Sequence, residues 1–312
     1  MATTTKTEFV ESTGQVGGAD TVRPPLRQRL EPWFFVAPSL ILLLMVGLFP
    51  IVYTGYFSFH DWTMGFGTPS FSGLSNYIEA LTTKAFGLSV ARTLVLLAIT
   101  LPVQLALGMA IALALDAPHN PFLKRLLQIC LVIPIAVTPA VIGLLAQLMF
   151  NQQFGIINYL IGLVGIGPVD WLGGSVSAFA TVVIVQIWEW TPFVALVLSA
   201  SLATVPKDIE EAAMLETARW WPRFKSVVLP YMWPGITAAL VFQTAFTVKA
   251  FGMIYSIAKG GPGGATRTAM LHIERVSFRG FDVGLASAES VLMLVMSIVL
   301  AQIYIKAFYR DS

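Results

Sequence analysis

The chain has 312 residues, of which 56% are hydrophobic and 12% charged, with a mean hydropathy of +0.75 and a formal net charge of +2. A soluble domain carries about 25% charged residues, so most of this chain has lipid for solvent, and the near-neutral balance argues against a nucleic-acid partner. The lone Cys130 excludes an internal disulfide and reads as a buried thiol in an apolar run. His60, His119 and His272 lie far apart without metal-ligand spacing, so no metal site is expected.

In chain order, residues 1–30 are rich in Thr, Gly, Ser and Pro and read as a partly disordered tail. Arg23, Arg27 and Arg29 precede an apolar run too long for a signal peptide, which reads as an uncleaved span. The remaining 31–312 form a single transmembrane domain. Six runs reach the roughly 20 apolar residues a bilayer requires, near 33–57, 89–115, 124–150, 176–204, 230–257 and 285–308. Prolines 38, 50, 102, 134, 139, 192 and 234 fall in or beside them, which lipid tolerates where neighbours satisfy the freed carbonyls. Ala106, Ala110 and Ala114 form a small-residue stripe suited to close helix packing. With both termini cytoplasmic, the inner segments hold twelve Lys and Arg against six outside, Lys249 falling within a span. That bias fixes the orientation despite four cations in the last outer loop, Lys259, Arg267, Arg275 and Arg279.

The chemistry is sparse. No G-x-x-x-x-G-K-[ST] string occurs, so ATP is not bound here through a P-loop. The polar residues inside spans are more informative, being costly in lipid unless they meet a cavity or one another. In the fourth span Gln186, Glu189, Trp190 and Phe193 share a face at i, i+3, i+4 and i+7. In the fifth, Gln243, Thr244, Thr247 and Lys249 lie beside Phe242 and Phe246. Amides and charges suit hydroxyl-rich solutes, and aromatic faces suit the C–H side of a sugar ring. The same residues equally suit interhelical hydrogen bonding and a buried Glu189–Lys249 pair.

Between the fourth and fifth spans lies a charged helical pattern from Pro206, with Asp208, Glu210 and Glu211 loading its first turns. Ile209, Ala212, Ala213 and Glu216 recur on one face, too weakly apolar to anchor in lipid but able to fit a protein groove. The string Glu211-Ala212-Ala213, with Val228-Leu229-Pro230 beyond, resembles the cytoplasmic EAA loop of ATP-binding-cassette importer permeases. Glu216-Thr217-Ala218 stands where that family has Asp-Gly-Ala, so the turn there is expected to be ordinary helix. The resemblance extends along the chain through Phe35-Val36-Ala37-Pro38, Phe49-Pro50, Gly73-Leu74-Ser75-Asn76-Tyr77, Val132-Ile133-Pro134, Trp188 with Pro192-Phe193, and Gly260-Gly261-Pro262 with Thr266. Glu289 in Ala288-Glu289-Ser290 and Phe251-Gly252 in place of Phe-Asp depart from the pattern. These segments are similar to the carbohydrate-uptake permeases.

The resemblance implies an all-α integral membrane protein of six transmembrane helices with an EAA coupling helix, in a bacterial inner membrane. It implies a transport subunit that is not itself an enzyme, paired with a second permease subunit. Two ATPase subunits holding ATP and Mg would dock at Glu210, Glu211, Ala212, Ala213, Glu216, Thr217 and Ala218. An extracytoplasmic solute-binding protein would face Gly260, Gly261, Pro262 and Thr266, with residue 266 reachable from outside. Two rivals stand beside it: an ion-coupled carrier with Glu189 as its ion site, and an importer of the same class for amino acids or peptides.

Overall fold

The computed structural model describes residues 36–117, 121–217 and 219–308. The expected tail over 1–30, with Arg23, Arg27 and Arg29, lies outside the described residues, as do His119, Ala218 and Arg310. The chain divides into two compact units, 1–52 and 53–312. The described part of the first is helical from Val36, within the span α1 (Val36–Phe57), whose apolar window is wholly unburied. A wider π turn at Leu44–Leu48 ends just before Pro50, whose missing amide and bulky ring disturb the ordinary ladder at that point.

In the second unit, α1 leads into a two-stranded antiparallel hairpin, β1 (His60–Thr63) and β2 (Phe66–Phe71), and a short helix α2 (Ser75–Thr82). The segment Gly73–Tyr77 knits this corner together. The buried Asn76 side chain donates to the carbonyls of Ser58 (3.1 Å) and His60 (2.9 Å), and the Tyr77 hydroxyl lies 2.7 Å from Ser58 Oγ. The long helices follow: α3 (Lys84–Asp116), α4 (Pro121–Ala136) and α5 (Pro139–Met149), the short α6 (Ile156–Gly162), α7 (Ser175–Leu202), α8 (Lys207–Glu216) and α9 (Trp220–Val248). The chain closes with α10 (Gly252–Ala258), α11 (Ala269–Phe278) and α12 (Val283–Phe308). Asp282 Oδ1 accepts the Leu285 amide at 2.9 Å and so satisfies one of the free N–H groups opening α12.

Among the described residues, five helices are long and apolar enough to cross a bilayer, six if the pair Phe122–Ala136 and Pro139–Met149 counts as one. That pair is bent by 94°, so the run 124–150 is two helices and not a straight span. Pro134 near the end of α4 and Pro139 at the start of α5 explain the break, because proline cannot donate to the ladder and disfavours helix at the residue before it. The expected fifth span, 230–257, is likewise interrupted: α9 ends at Val248 and a new helix starts at Gly252. Pro102, Pro192 and Pro234 sit inside helices that continue through them.

The core centres on α7, the most buried of the candidate spans. One apolar cluster joins Leu97 and Leu101 of α3 to Val194 and Leu198 of α7 and Met232, Ile236 and Leu240 of α9. A second gathers Ile142 of α5, Val182 of α7 and Met253 and Ile254 of α10. Ala106, Ala110 and Ala114 face outward. The close approach of α3 to α7 is made instead by Gly108, where an added Cβ would lie 2.7 Å from Val194 Cγ1. Cys130, expected to be buried, is exposed on α4; an apolar run in a membrane protein is as suited to facing lipid as to facing a core.

Candidate functional site

Both helix interruptions arrive at one place. A cavity of about 260 Å³ is walled by Pro139 from the α4–α5 break, by Lys249, Ala250, Phe251 and Gly252 from the α9–α10 break, and by Gln186, Glu189 and Trp190 of α7. Non-helical backbone at membrane depth is tolerated where it lines a cavity or is buried in protein, so the breaks and the cavity are two aspects of one construction. Helices α5 and α10 pack closely beside it. An added Cβ on Gly143 would lie 2.6 Å from Ser256 Cβ, which leaves that contact no room for a side chain.

The α7 face follows from helical spacing. Residues 186, 189 and 190 lie on one side of a continuous helix, with Glu189 near its midpoint. Gln186 is fully buried, and neither its amide nitrogen nor its amide oxygen has a partner. Gln104 of α3 donates to the Gln186 backbone carbonyl at 2.9 Å and ties that turn to the core. Glu189 is buried too, and its Oε2 has no partner. Beside the polar groups stands an aromatic wall. Trp190 stacks on Phe246 with centroids 4.4 Å apart and planes at 27°, and Phe193 meets Phe246 edge-on at 5.4 Å.

Of the residues singled out in the spans, Gln186, Glu189, Trp190 and Lys249 come together, and Gln243, Thr244 and Thr247 do not line this cavity. Those three are buried along α9, and their amide and hydroxyl groups have no partners. Lys249 is not within a span. It is the C-cap residue of α9, exposed, with Nζ 4.8 Å from the Phe246 ring centroid, a cation–π contact. The alternative of a buried Glu189–Lys249 ion pair is not formed among the described residues. Phe246 and Phe251 gained importance from the fold: one is the stacking partner of Trp190, the other part of the break that opens the cavity.

Beyond the C-terminal end of α7, helix α8 carries Asp208 and Glu210 in its first turn, where carboxylates suit the helix dipole. Ala213 is buried, whereas Glu211, Ala212 and Glu216 are exposed. The most protruding apolar side chain is Leu215, 91% exposed, which the small-residue stripe did not include. Thr217 corrects the expectation of ordinary helix: at φ −150° and ψ 127° it is extended and ends α8. Its hydroxyl accepts the Arg219 amide at 3.3 Å. An extended residue needs no glycine, so the replacement of the family's glycine costs nothing here.

The glycine-rich loop Gly260–Gly264 takes its form from positive φ at Gly260, Gly263 and Gly264. Thr266, expected to be reachable from outside, is fully buried. Its hydroxyl donates to the Gly261 carbonyl at 2.8 Å and holds the loop closed. The Thr93 hydroxyl of α3 accepts the Ala269 amide at 2.9 Å and so fixes where α11 begins. Glu289, unexpected in the last span, is fully buried with Oε1 3.1 Å from His272 Nε2 of α11.

A polar, aromatic cavity at the breaks of membrane helices, with a short charged helix at the far end of the most buried span, describes a transport protein. The chain belongs to the family of binding-protein-dependent transport system inner membrane components, whose profile matches residues 104–310. It is 33% identical to the trehalose/maltose transport system permease protein MalF of Thermococcus litoralis, over 89% of this chain and 94% of that one. It is 31% identical to the trehalose transport system permease protein SugA of Mycobacterium tuberculosis, over 91% of this chain and 90% of the relative. A crystal structure of a bacterial ABC transporter that imports the acidic polysaccharide alginate matches with a TM-score of 0.77 at 17% identity, covering 92% of this chain and 99% of that chain. A second alginate transporter structure, in complex with a periplasmic protein carrying an alginate pentasaccharide, matches at 0.76 and 16% identity over 89% and 94%. This chain is therefore a multi-pass inner-membrane component of a binding-protein-dependent transport system, and the ion-gradient carrier is set aside.

Proposed function

We propose that this chain is one of two permease subunits of an ATP-driven importer of a sugar, polyol or related carbohydrate. ATP and Mg are bound and turned over on two separate ATPase subunits, and an extracytoplasmic receptor delivers the solute. Both termini are cytoplasmic. The carbohydrate reading draws on the named trehalose, maltose and alginate systems and on the chemistry of the α7 face. The observation that carries it is the cavity itself, where unpartnered Gln186 and Glu189 oxygens and the Gln186 amide nitrogen stand beside a stacked Trp190–Phe246 pair. Hydroxyl groups of a sugar can satisfy such atoms, and its C–H face can rest on the aromatic wall. An importer for amino acids or peptides has less support, because the relatives named above are trehalose and maltose permeases.

ATP-driven closure of the ATPases moves α8 and switches the cavity between faces by stabilising one of two states. Reconstitution tests the whole. With receptor and ATPases present, trehalose or maltose uptake into proteoliposomes is expected to require ATP and to ignore an imposed proton or sodium gradient. Uptake of an amino acid but of no carbohydrate, or gradient-driven uptake without ATP, would overturn the proposal.

A further inference from the structure

We propose that the cleft where α3 ends, α4 begins and α7 ends holds the headgroup of a phosphatidylethanolamine from the surrounding bilayer, with its ammonium at Asp116 and its phosphate at Lys124. The cleft has a volume of about 330 Å³. Asp116 of α3, Lys124 and Gln128 of α4 and Ser199 of α7 line it, between apolar walls that include Leu115 and Leu196. Helix α3 is long enough to span the bilayer and Asp116 is its last residue, so the cleft lies at a membrane surface whichever way the chain is oriented. The site therefore depends on neither the orientation nor the cargo proposed above.

Both charged residues sit at the unfavourable pole of their own helix. Asp116 closes α3, where the dipole is negative, and Lys124 is in the first turn of α4, where it is positive. Neither stabilises its helix there, and no ion pair joins the two among the described residues. The C-terminal end of α7 reaches the same cleft through Leu202 and Ala203. One side of the cleft is thus negative, with two helix C-termini and a carboxylate, and the other positive, with a helix N-terminus and an ammonium. Ethanolamine phosphate carries the complementary charges linked in one headgroup. Its ammonium donates to the Asp116 carboxylate, and its phosphate accepts from Lys124. Ser199 supplies a further donor, for its Oγ is buried in the cleft wall without a partner. The helix that contributes Lys124 and Gln128 also exposes Phe122, Leu123, Leu126 and Leu127, an apolar surface suited to acyl chains. A polar cleft beside such a surface favours a membrane lipid over a soluble zwitterion. The ammonium then selects among lipids, because a choline headgroup has no N–H to donate and a glycerol headgroup has no cation.

The test uses the complete transporter, purified and stripped of bulk lipid. Dioleoyl phosphatidylethanolamine, phosphatidylcholine and phosphatidylglycerol are added in turn over a concentration series, and bound lipid is counted by native mass spectrometry. The wild type is expected to retain phosphatidylethanolamine at about one-tenth the concentration the other two require. Asp116→Asn should bring phosphatidylethanolamine down to the level of phosphatidylcholine, and Asp116→Glu should restore the preference. Lys124→Gln should weaken retention of phosphatidylethanolamine about tenfold. Ser199→Ala, which removes one donor and no charge, should weaken it about threefold and keeps the idea testable if a charge variant assembles poorly. Equal retention of the three lipids by the wild type would overturn the proposal, as would a preference that survives Asp116→Asn, Lys124→Gln and Ser199→Ala. Displacement of the lipid by an equal concentration of O-phosphoethanolamine would also overturn it, since the cleft would then serve a soluble zwitterion. So would loss of complex yield in the charge variants with lipid selectivity unchanged, which would assign Asp116 and Lys124 to a contact between subunits.

Discussion

Glu189 shows how far a single residue can be read from sequence. Its place at mid-span beside Gln186 and Trp190 was legible, because helical spacing alone puts the three on one face. A carboxylate at that depth costs on the order of 3 kcal/mol on insertion scales unless water, a donor or a cation meets it. Lys249 does not meet it, having left the span; apolar residues continue on both sides of the break, so hydropathy carried the reading across it. With the ion-pair role removed, Glu189→Gln should assemble at wild-type yield and lower solute uptake, the amide keeping the shape and losing the charge. A drop in complex yield, restored by adding Lys249→Met, would point back to the pair. Trp190→Ala removes the partner that stacks on Phe246 at 4.4 Å. Aromatic contacts of this kind contribute about 0.5–1.5 kcal/mol, so uptake is expected to fall about threefold to tenfold at normal expression. Normal uptake by both variants would take this face out of the solute path.

Elements were legible where hydropathy and length suffice and obscure where backbone hydrogen bonding decides. The long helices α3, α7 and α12 stand out as apolar runs, but the 94° turn between α4 and α5 looks in sequence like one span with two prolines. The Gly73–Tyr77 segment carried a family likeness, and its physical reason is a packing one: Asn76 holds the end of α1 to the hairpin by two donated bonds. Glu289 departed from that likeness because its partner, His272, sits on a different helix 17 residues earlier. This buried contact joins α11 to α12 against the Phe86 ring, 5.9 Å from the imidazole, and leaves His272 Nδ1 and Glu289 Oε2 without partners. A buried polar group left unsatisfied costs about 1–3 kcal/mol. Glu289→Ala should therefore lower the unfolding temperature of the purified transporter by several degrees, and His272→Ala by a similar amount. Replacing both together, Glu289→Leu with His272→Phe, should recover most of the loss, since no polar atom then remains unpaired. Additive losses in the double variant, measured by thermal unfolding in detergent, would show that the two side chains act separately.

At the scale of the whole molecule, α7 is the physical link between the two candidate sites. It bears the cavity face near its middle, and only four residues separate its end at Leu202 from α8 at Lys207. A rigid, buried helix that ends beside an exposed one transmits displacement efficiently, because packed cores resist continuous deformation. The sequence marked α8 by its charge and its EAA string. The stripe drawn from 209, 212, 213 and 216 mixes a buried alanine with more exposed residues, while Leu215 projects almost entirely into solvent. An apolar side chain so exposed on a charged helix fits an anchor for a groove on the ATPase. Leu215→Glu should then weaken assembly with the ATPases or, where assembly survives, let ATP turnover proceed with little solute uptake. Glu211→Lys reverses a charge on the same exposed side and is expected to act in the same direction. Membrane insertion should be unchanged in both, since neither residue lies in a span. The measurement is the ratio of solute imported to ATP hydrolysed, taken together with ATPase recovery on purification through this chain. A wild-type ratio and full ATPase recovery in both variants would move the coupling contact away from α8, leaving the Trp220–Trp221–Phe224 aromatic cluster at the start of α9 as the next surface to alter.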